Sequence, residues 1–259
     1  MADRQRDGGP RAPATPARPS NPPTAPAPAT APTAPPARDV QAFLATVSAM
    51  PPPVRTGADR GRLIFALDAT ASRQPTWDRA QHLQGEMFTA AAGLGGLDVQ
   101  LVFYRGFGEC KASPWVQDAK ALLAKMTAVT CLGGHTQIGR VLSHARRQTE
   151  SKRVNALVFV GDAVEEDPDH LCHLAGELGL LGVPVFVFHE GGDAAAASVF
   201  RQIAKLSRGA YCPFDAASAG ALKDLLRAVA VFAAGGRAAL ADWSKGRSEA
   251  VRLLAHQVG

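Results

Sequence analysis

Short apolar runs alternate along the chain with longer segments in which apolar residues recur at helical spacing. The apolar runs predict strands at residues 62–68, 98–105, 156–162, 183–189 and 210–213. The other segments predict helices at about residues 78–94, 116–129, 136–148, 168–181, 194–207 and 216–234. Strands without polar alternation are typical of parallel sheets buried on both faces. The pattern therefore predicts an α/β fold: a doubly wound open sheet, mostly parallel, with helices on both faces and one short antiparallel edge strand at 109–113.

The two ends of the chain have a different pattern. Residues 1–38 contain no Ile, Leu, Val, Phe or Trp, and 14 of the 19 prolines lie before residue 54. Such a segment cannot bury enough apolar surface to offset the entropy of ordering it, so residues 1–38 are predicted to be disordered. Residues 39–58 predict a short amphipathic helix and a Pro-rich linker. The folded domain is expected at residues 59–235, followed by a C-terminal helix at 236–259.

Charge and cysteine content narrow the classes of partner. The formal net charge is +5, but residues 1–58 hold six Arg and three Asp, which leaves only +2 for the rest of the chain. The predicted domain therefore lacks the clustered positive charge of a nucleic-acid-binding surface. No apolar run reaches the roughly 18 residues that span a bilayer, and the four cysteines are spaced too irregularly for a disulfide framework. We expect a monomeric cytoplasmic protein that binds neither nucleic acid nor membrane.

Oxygen-bearing side chains are predicted to meet at one edge of the sheet. Asp68, Thr70 and Ser72 come directly after the first strand. Thr136 begins the helix that leads into the strand at 156–162, and Asp162 ends that strand. The carboxyl ends of parallel strands share one crevice, and a helix that feeds such a strand begins at the same edge. Carboxylate and hydroxyl oxygens suit a hard divalent cation such as Mg²⁺, so these five residues are candidate metal ligands.

These motifs resemble the metal-ion-dependent adhesion site of the von Willebrand factor A domain family. The resemblance rests on the Asp-x-Thr-x-Ser run after a buried strand, the Thr that follows Gly-Gly, and the Asp that ends the next strand. It extends in strand and helix order over about residues 60–235. It implies that Mg²⁺ or Mn²⁺ is held by five residues, with the hydroxyls bound directly and some aspartates acting through water: Asp68, Thr70, Ser72, Thr136 and Asp162.

The same resemblance implies a non-catalytic module for protein–protein interaction. An acidic side chain of a partner protein, with an ATPase as one candidate partner, would fill the open position on the ion. Two departures from the family pattern stand out in the sequence. Thr70 replaces the commoner Ser, and Asp162 is flanked by Gly161 and Ala163 where the family usually has Thr and Gly.

Two other functions fit parts of the sequence. Asp68 could serve as the nucleophile of a metal-dependent phosphohydrolase, although such enzymes place a second Asp where this chain has Thr70. Alternatively, the metal site could be vestigial, with the tail and residues 39–50 binding the partner. His170, Cys172 and His173 do not all share one helix face, so they are predicted to be surface residues rather than zinc ligands. His135 is a candidate for the rim of the crevice.

Overall fold

The computed structural model describes residues 60–74, 97–214 and 226–235, together with residues 42, 45, 46 and 224. The strands within these residues are β1 (Gly61–Asp68), β2 (Leu97–Arg105), β3 (Glu109–Ala112), β4 (Ala156–Gly161), β5 (Val185–Glu190) and β6 (Ala210–Phe214). The helices are α1 (Ala119–Thr127), α2 (Ile138–Ser151), α3 (Pro168–Leu180), α4 (Ala194–Leu206) and α5 (226–235). A short 3₁₀ helix covers Ala71–Arg73.

The strands form one sheet in the order β3-β2-β1-β4-β5-β6. Strand β1 pairs in parallel with both β2 and β4, and β5 and β6 continue the parallel arrangement. Strand β3 is antiparallel to β2 and lies at one edge. The strand order reverses between β1 and β4, the position at which open α/β sheets bind their ligands. The predicted fold class, a doubly wound sheet with one short antiparallel edge strand, is confirmed.

Apolar layers cover both faces of β1, and all eight of its residues are buried. On one face, Leu63, Phe65 and Leu67 belong to a core that includes residues of α1 and α5. On the other face, Ile64 and Ala66 belong to a core built with α2, α3 and α4. Because both faces of the strand are covered, its sequence is apolar without alternation, as the sequence pattern indicated.

The segment before α1 differs from its prediction. The pattern predicted a helix from residue 116, but Val116 forms an antiparallel bridge with Val99 through two backbone hydrogen bonds of 2.8 Å. Helix α1 begins only after Asp118, whose carboxylate accepts a 2.7 Å hydrogen bond from the amide of Ala121 as an N-cap. The prediction was wrong here because backbone pairing with β2, which is distant in sequence, takes Val116 out of the helix.

Several predicted segments lie outside the described residues: the tail at 1–38, the helix at 78–94 and the C-terminal helix at 236–259. The predicted helix at 39–50 is described only at residues 42, 45 and 46, which are helical. The helix predicted at 216–234 is described mainly through α5. Among the helices that the structure describes, none is both long and apolar enough to cross a bilayer.

Helix α2 is joined to the sheet by a polar contact as well as by its apolar face. The Nε2 atom of His144 lies 2.7 Å from Oε1 of Gln100 on β2. The side-chain nitrogen of Gln100 donates to the carbonyl of Ser113 at 2.9 Å, so its Oε1 accepts from His144. Burial lowers the pKa of His144, and the positive charge of Arg147 lowers it further. The fold therefore favours the neutral imidazole.

This lowered pKa predicts that acid destabilises the fold at His144. The unfolded chain takes up the proton first, so the free energy of unfolding should fall as the pH drops below the ordinary histidine value of 6.5. His144→Gln removes the titrating group and keeps a polar side chain. Denaturant unfolding at about pH 7.5 and about pH 5.5 should show a smaller loss in this variant than in the wild type. The exposed His173→Gln is the control, and an equal loss in both variants would contradict the prediction.

Candidate functional site

The carboxylate of Asp68 is buried at the carboxyl end of β1. Its Oδ1 accepts a 2.8 Å hydrogen bond from the amide of Thr70, and its Oδ2 accepts one of 2.9 Å from the phenol of Tyr104. Tyr104 lies directly opposite Asp68 in the β1–β2 register. Both residues have no exposed surface. Sequence analysis missed Tyr104, and the only signal available was a single hydroxyl at the end of an apolar strand.

Two hydroxyl groups lie together where the chain leaves Asp68. The Oγ1 of Thr70 and the Oγ of Ser72 are 3.0 Å apart. Thr70 is buried, whereas Ser72 is exposed in the 3₁₀ helix that follows. The segment Asp68–Ser72 therefore brings one buried carboxylate and two hydroxyls together, with one hydroxyl open to solvent.

Asp162 follows β4, which pairs with β1 so that Leu67 lies opposite Val160. The Oδ1 atom of Asp162 is buried, and no other described residue supplies a hydrogen bond to it. Burial raises the pKa of Asp68, and the negative charge of Asp162 adds to the rise against the opposing effect of the Thr70 hydrogen bonds. The structure thus brings the two carboxylates within electrostatic reach of each other.

Steric crowding explains why the residue before Asp162 is a glycine. A Cβ atom on Gly161 would lie 2.8 Å from the ring of Phe159 and 3.6 Å from the Cβ of Asp68. A Thr at this position would collide with the Phe159 ring, which is itself packed against Tyr104 and Phe200. This departure from the family pattern therefore reflects local packing against an aromatic side chain.

Thr136 is buried in the loop that precedes α2, and its hydrogen bonds go to Glu165. The amide of Thr136 donates to Oε2 of Glu165, and the amide of Glu165 donates back to the Thr136 hydroxyl, each at 3.0 Å. The same loop is tied to the Asp68–Ser72 segment because the amide of Leu132 donates to the carbonyl of Ala69 at 3.0 Å. Thr136 is therefore joined directly to the loop after Asp162 and only through backbone contacts to the segment after β1.

Two glutamates that the sequence analysis missed hold the loop after β4 against α2. Glu165 also lies 3.1 Å from Nδ1 of His135, and its hydrogen bond from Thr136 lowers its pKa. Glu166 accepts hydrogen bonds from the amides of Ile138 and Gly139. These amides belong to the first turn of the helix, where backbone donors have no partner within the helix. The side chain of His135 is exposed beside this contact.

Gly134 is required by the close approach of two loops. A Cβ atom here would lie 2.1 Å from the carbonyl oxygen of Gly106 in the β2–β3 turn. The neighbouring Gly133 has open space at the same position, with no atom of the described residues other than its two chain neighbours within 4 Å. The position of the loop that carries Thr136 therefore depends on one of the two adjacent glycines and not on the other.

The difference in space around Gly134 and Gly133 predicts different effects when each is substituted. Gly134→Ala should lower the free energy of unfolding by about 1–3 kcal/mol, because the added methyl group overlaps backbone atoms that cannot move aside freely. Gly133→Ala should change it by less than about 0.5 kcal/mol. Urea unfolding of both full-length variants is the measurement. Similar losses in the two variants would show that the loops are not in the contact described.

Arg73, which follows Ser72 in the chain, adds a buried positive charge beside the site. Its side chain is 1% exposed and forms an ion pair with Glu190 at the end of β5. Burial lowers the pKa of Arg73, while the charges of Asp162 and Asp68 favour its charged form. Taken as ionised, Arg73 and the three carboxylates around it carry a formal net charge of −2.

The donor set around Asp68 fits a divalent cation in charge and in chemistry. A dication would balance the net charge of −2, and the buried Oδ1 of Asp162 is an oxygen acceptor that lacks a donor among the described residues. Within the part of the chain that the structure describes, no three His, Cys, Asp or Glu side chains form a conventional metal cluster. An ion at this edge would therefore depend on two carboxylates supplemented by hydroxyls.

No family model and no curated protein matches this sequence. Solved structures do match its fold. The VWA domain of SpRpn10 superposes with a TM-score of 0.53 at 15% identity, over 65% of this chain and 94% of that domain. Proximal thread matrix protein 1 of the mussel byssus, in a form with a zinc-occupied MIDAS motif, gives 0.52 at 15% identity, over 66% and 46%. The pilus adhesin SpaC from Lactobacillus rhamnosus GG gives 0.53 at 11% identity, over 69% and 30%.

These structural similarities establish the class of the fold. The described residues form an α/β domain with a mostly parallel six-stranded sheet. More particularly, the fold is VWA-like, which is the fold that the resemblance of the sequence motifs implied. The match covers less than half of the mussel protein and less than a third of the pilus adhesin.

Proposed function

We propose that this domain is a metal-dependent protein-interaction module. Mg²⁺ or Mn²⁺ would be held by two carboxylates and three hydroxyls, and an acidic side chain of a partner protein would complete the coordination. The proposal depends chiefly on the buried Oδ1 of Asp162, which has no hydrogen-bond partner among the described residues, beside the net negative charge of the site. The residues proposed to hold the ion are Asp68, Thr70, Ser72, Thr136 and Asp162.

The donor types support a hard ion with remaining Lewis acidity. Mg²⁺ and Mn²⁺ prefer oxygen ligands, and Mg²⁺ keeps waters that an incoming ligand can replace. Hydroxyl oxygens donate less charge than carboxylates, so the ion would still attract an external anion. The pair of hydroxyls at Thr70 and Ser72 lies 3.0 Å apart at the border between the buried carboxylate and solvent. An anionic ligand could therefore approach from the solvent side.

A binding role is better supported than a hydrolytic one. A phosphoryl-accepting aspartate must present a free carboxylate oxygen to its substrate. Both oxygens of Asp68 accept hydrogen bonds, from the Thr70 amide and the Tyr104 phenol, and the residue has no exposed surface. We therefore propose a non-catalytic domain and set the phosphohydrolase alternative aside.

The first test is the response of stability to the metal alone. Adding Mg²⁺ or Mn²⁺ at about 100 times its dissociation constant should raise the free energy of unfolding by about 2.7 kcal/mol. Asp162→Asn should abolish the increase while leaving the metal-free protein folded, because Oδ1 of Asp162 makes no hydrogen bond to another described residue. Thermal melts of the full chain with and without metal measure both effects.

Asp169→Asn is the matched control, since it removes one exposed carboxylate at the start of α3. This variant should keep the full response to metal. Loss of the response in both variants would indicate a general effect of charge. Absence of any response in the wild type would contradict metal binding.

The second test concerns the partner. Proteins retained by the immobilised full chain in Mg²⁺ should be released by a chelator and should not be retained by Asp162→Asn. An acidic residue in the partner should be essential, and an ATPase is the partner class we would examine first. Retention that persists in chelator would contradict a metal-bridged contact, whatever the identity of the partner.

A vestigial site is the second candidate, and Arg73 is the observation that favours it. The buried guanidinium carries a positive charge close enough to stabilise both Asp68 and Asp162. In that case the guanidinium of Arg73 would take the place of a metal ion, and the site would stabilise the fold without metal. The two candidates differ in the melts described above, because only the metal-binding domain gains stability from Mg²⁺ or Mn²⁺.

A further inference from the structure

A second concave surface lies between the edge strand β3 and helix α2. It has a volume of about 600 Å³ and is open to solvent. Its lining includes Cys110 and Ala112 from β3 and three residues of α2, Arg140, Ser143 and Arg147. This volume lies within the range of about 300–1,000 Å³ that is common for small-molecule sites. We refer to it as the β3–α2 cleft.

Positive charge predominates in the β3–α2 cleft. Three cationic side chains line it, those of Lys111, Arg140 and Arg147, and Lys111 is already paired with Glu109 on β3 at 2.7 Å. Among the described residues, Glu166 is the one carboxylate in the lining, and it already accepts hydrogen bonds from the Ile138 and Gly139 amides.

The thiol in the lining does not offset this charge. Burial raises the pKa of Cys110, so the thiol stays protonated and adds no negative charge at neutral pH. The formal charge of the described lining residues is therefore +2, or +1 when Glu109, the ion-pair partner of Lys111, is included.

The positive charges of the α2 arginines are paired with carboxylates on one side of the helix but not on the other. Arg146 forms an ion pair with Glu177 of α3 at 2.8 Å. Arg140 instead donates to neutral oxygens of Gly108 and Gln137, and among the described residues no carboxylate forms an ion pair with Arg140 or Arg147. The positive charge on the cleft side of the helix is thus left for an external anion.

We propose that the β3–α2 cleft binds a compact phosphorylated molecule through Arg140 and Arg147. A guanidinium presents a planar fork of donors that matches two phosphate oxygens at once. The hydroxyl of Ser143 and the imidazole of His170 add further polar groups to the lining. Among the described residues, no aromatic ring other than two imidazoles lines the cleft, so these residues offer no platform for stacking with a nucleobase.

This site is independent of the proposed metal site. None of the five proposed metal residues lines the cleft. Binding of a phosphorylated ligand should therefore persist in Asp162→Asn and in metal-depleted protein, so the two proposals can fail separately.

The experiment uses pyrophosphate as the probe and metal-depleted full-length protein at moderate ionic strength. Isothermal titration calorimetry should give saturable binding that is weakened at least about tenfold in the double variant Arg140→Gln, Arg147→Gln. Lys205→Gln on α4 removes an exposed positive charge elsewhere and should leave the affinity unchanged. The NMR signals of the His144 ring, which lines the cleft, should shift with pyrophosphate and saturate at the same concentration.

Three results would overturn the proposal. One is the absence of saturable pyrophosphate binding. A second is equal weakening in the double variant and in Lys205→Gln, which would indicate a general charge effect. The third is binding of a phosphoserine peptide without binding of pyrophosphate or a small phosphate ester, which would make the cleft a peptide site. Circular dichroism of each variant establishes that it is folded before its affinity is compared.

Discussion

The carboxylate of Asp68 is removed from water at the end of the central strand, and this burial governs the arrangement around it. A buried carboxylate is costly unless donors or positive charge surround it. Here the Thr70 amide and the Tyr104 phenol supply two hydrogen bonds, and Arg73 supplies charge at longer range. Asp162 adds a second negative charge to the same edge and opposes this stabilisation. The site therefore has a deficit of positive charge that a divalent cation would correct.

The loops around this edge are positioned by direct backbone contacts and by glutamate side chains. Glu165 joins the loop after β4 to Thr136, and Glu166 satisfies amides at the start of α2. The contact between Gly134 and Gly106 brings two further loops together. Contacts of this kind leave little freedom for the loops they join, so they would preorganise the donors proposed to hold the metal ion. Such preorganisation reduces the conformational cost of binding.

Two surfaces of opposite charge lie on either side of the N-terminal part of α2. The candidate metal site gathers carboxylates at the end of β1 and β4, whereas the β3–α2 cleft gathers arginines beside the edge strand. Glu166 lines the cleft, and the adjacent Glu165 holds the loop of Thr136. The loop after β4 is therefore common to both surfaces, and the two ligands that we propose would bind near the same helix.

The sequence by itself determined the α/β class, the antiparallel edge strand and the edge of the sheet at which Asp68 and Asp162 lie. Local periodicity is enough for these features, because a strand buried on both faces must be apolar along its length. It did not reveal Tyr104 or Glu165, and it placed Val116 in a helix. Each of these depends on a partner distant in the chain: strand register sets Tyr104 against Asp68, and loop packing sets Glu165 against Thr136. Only the tertiary structure decided them, because hydrogen bonds and ion pairs between remote segments leave no periodic signal in the sequence.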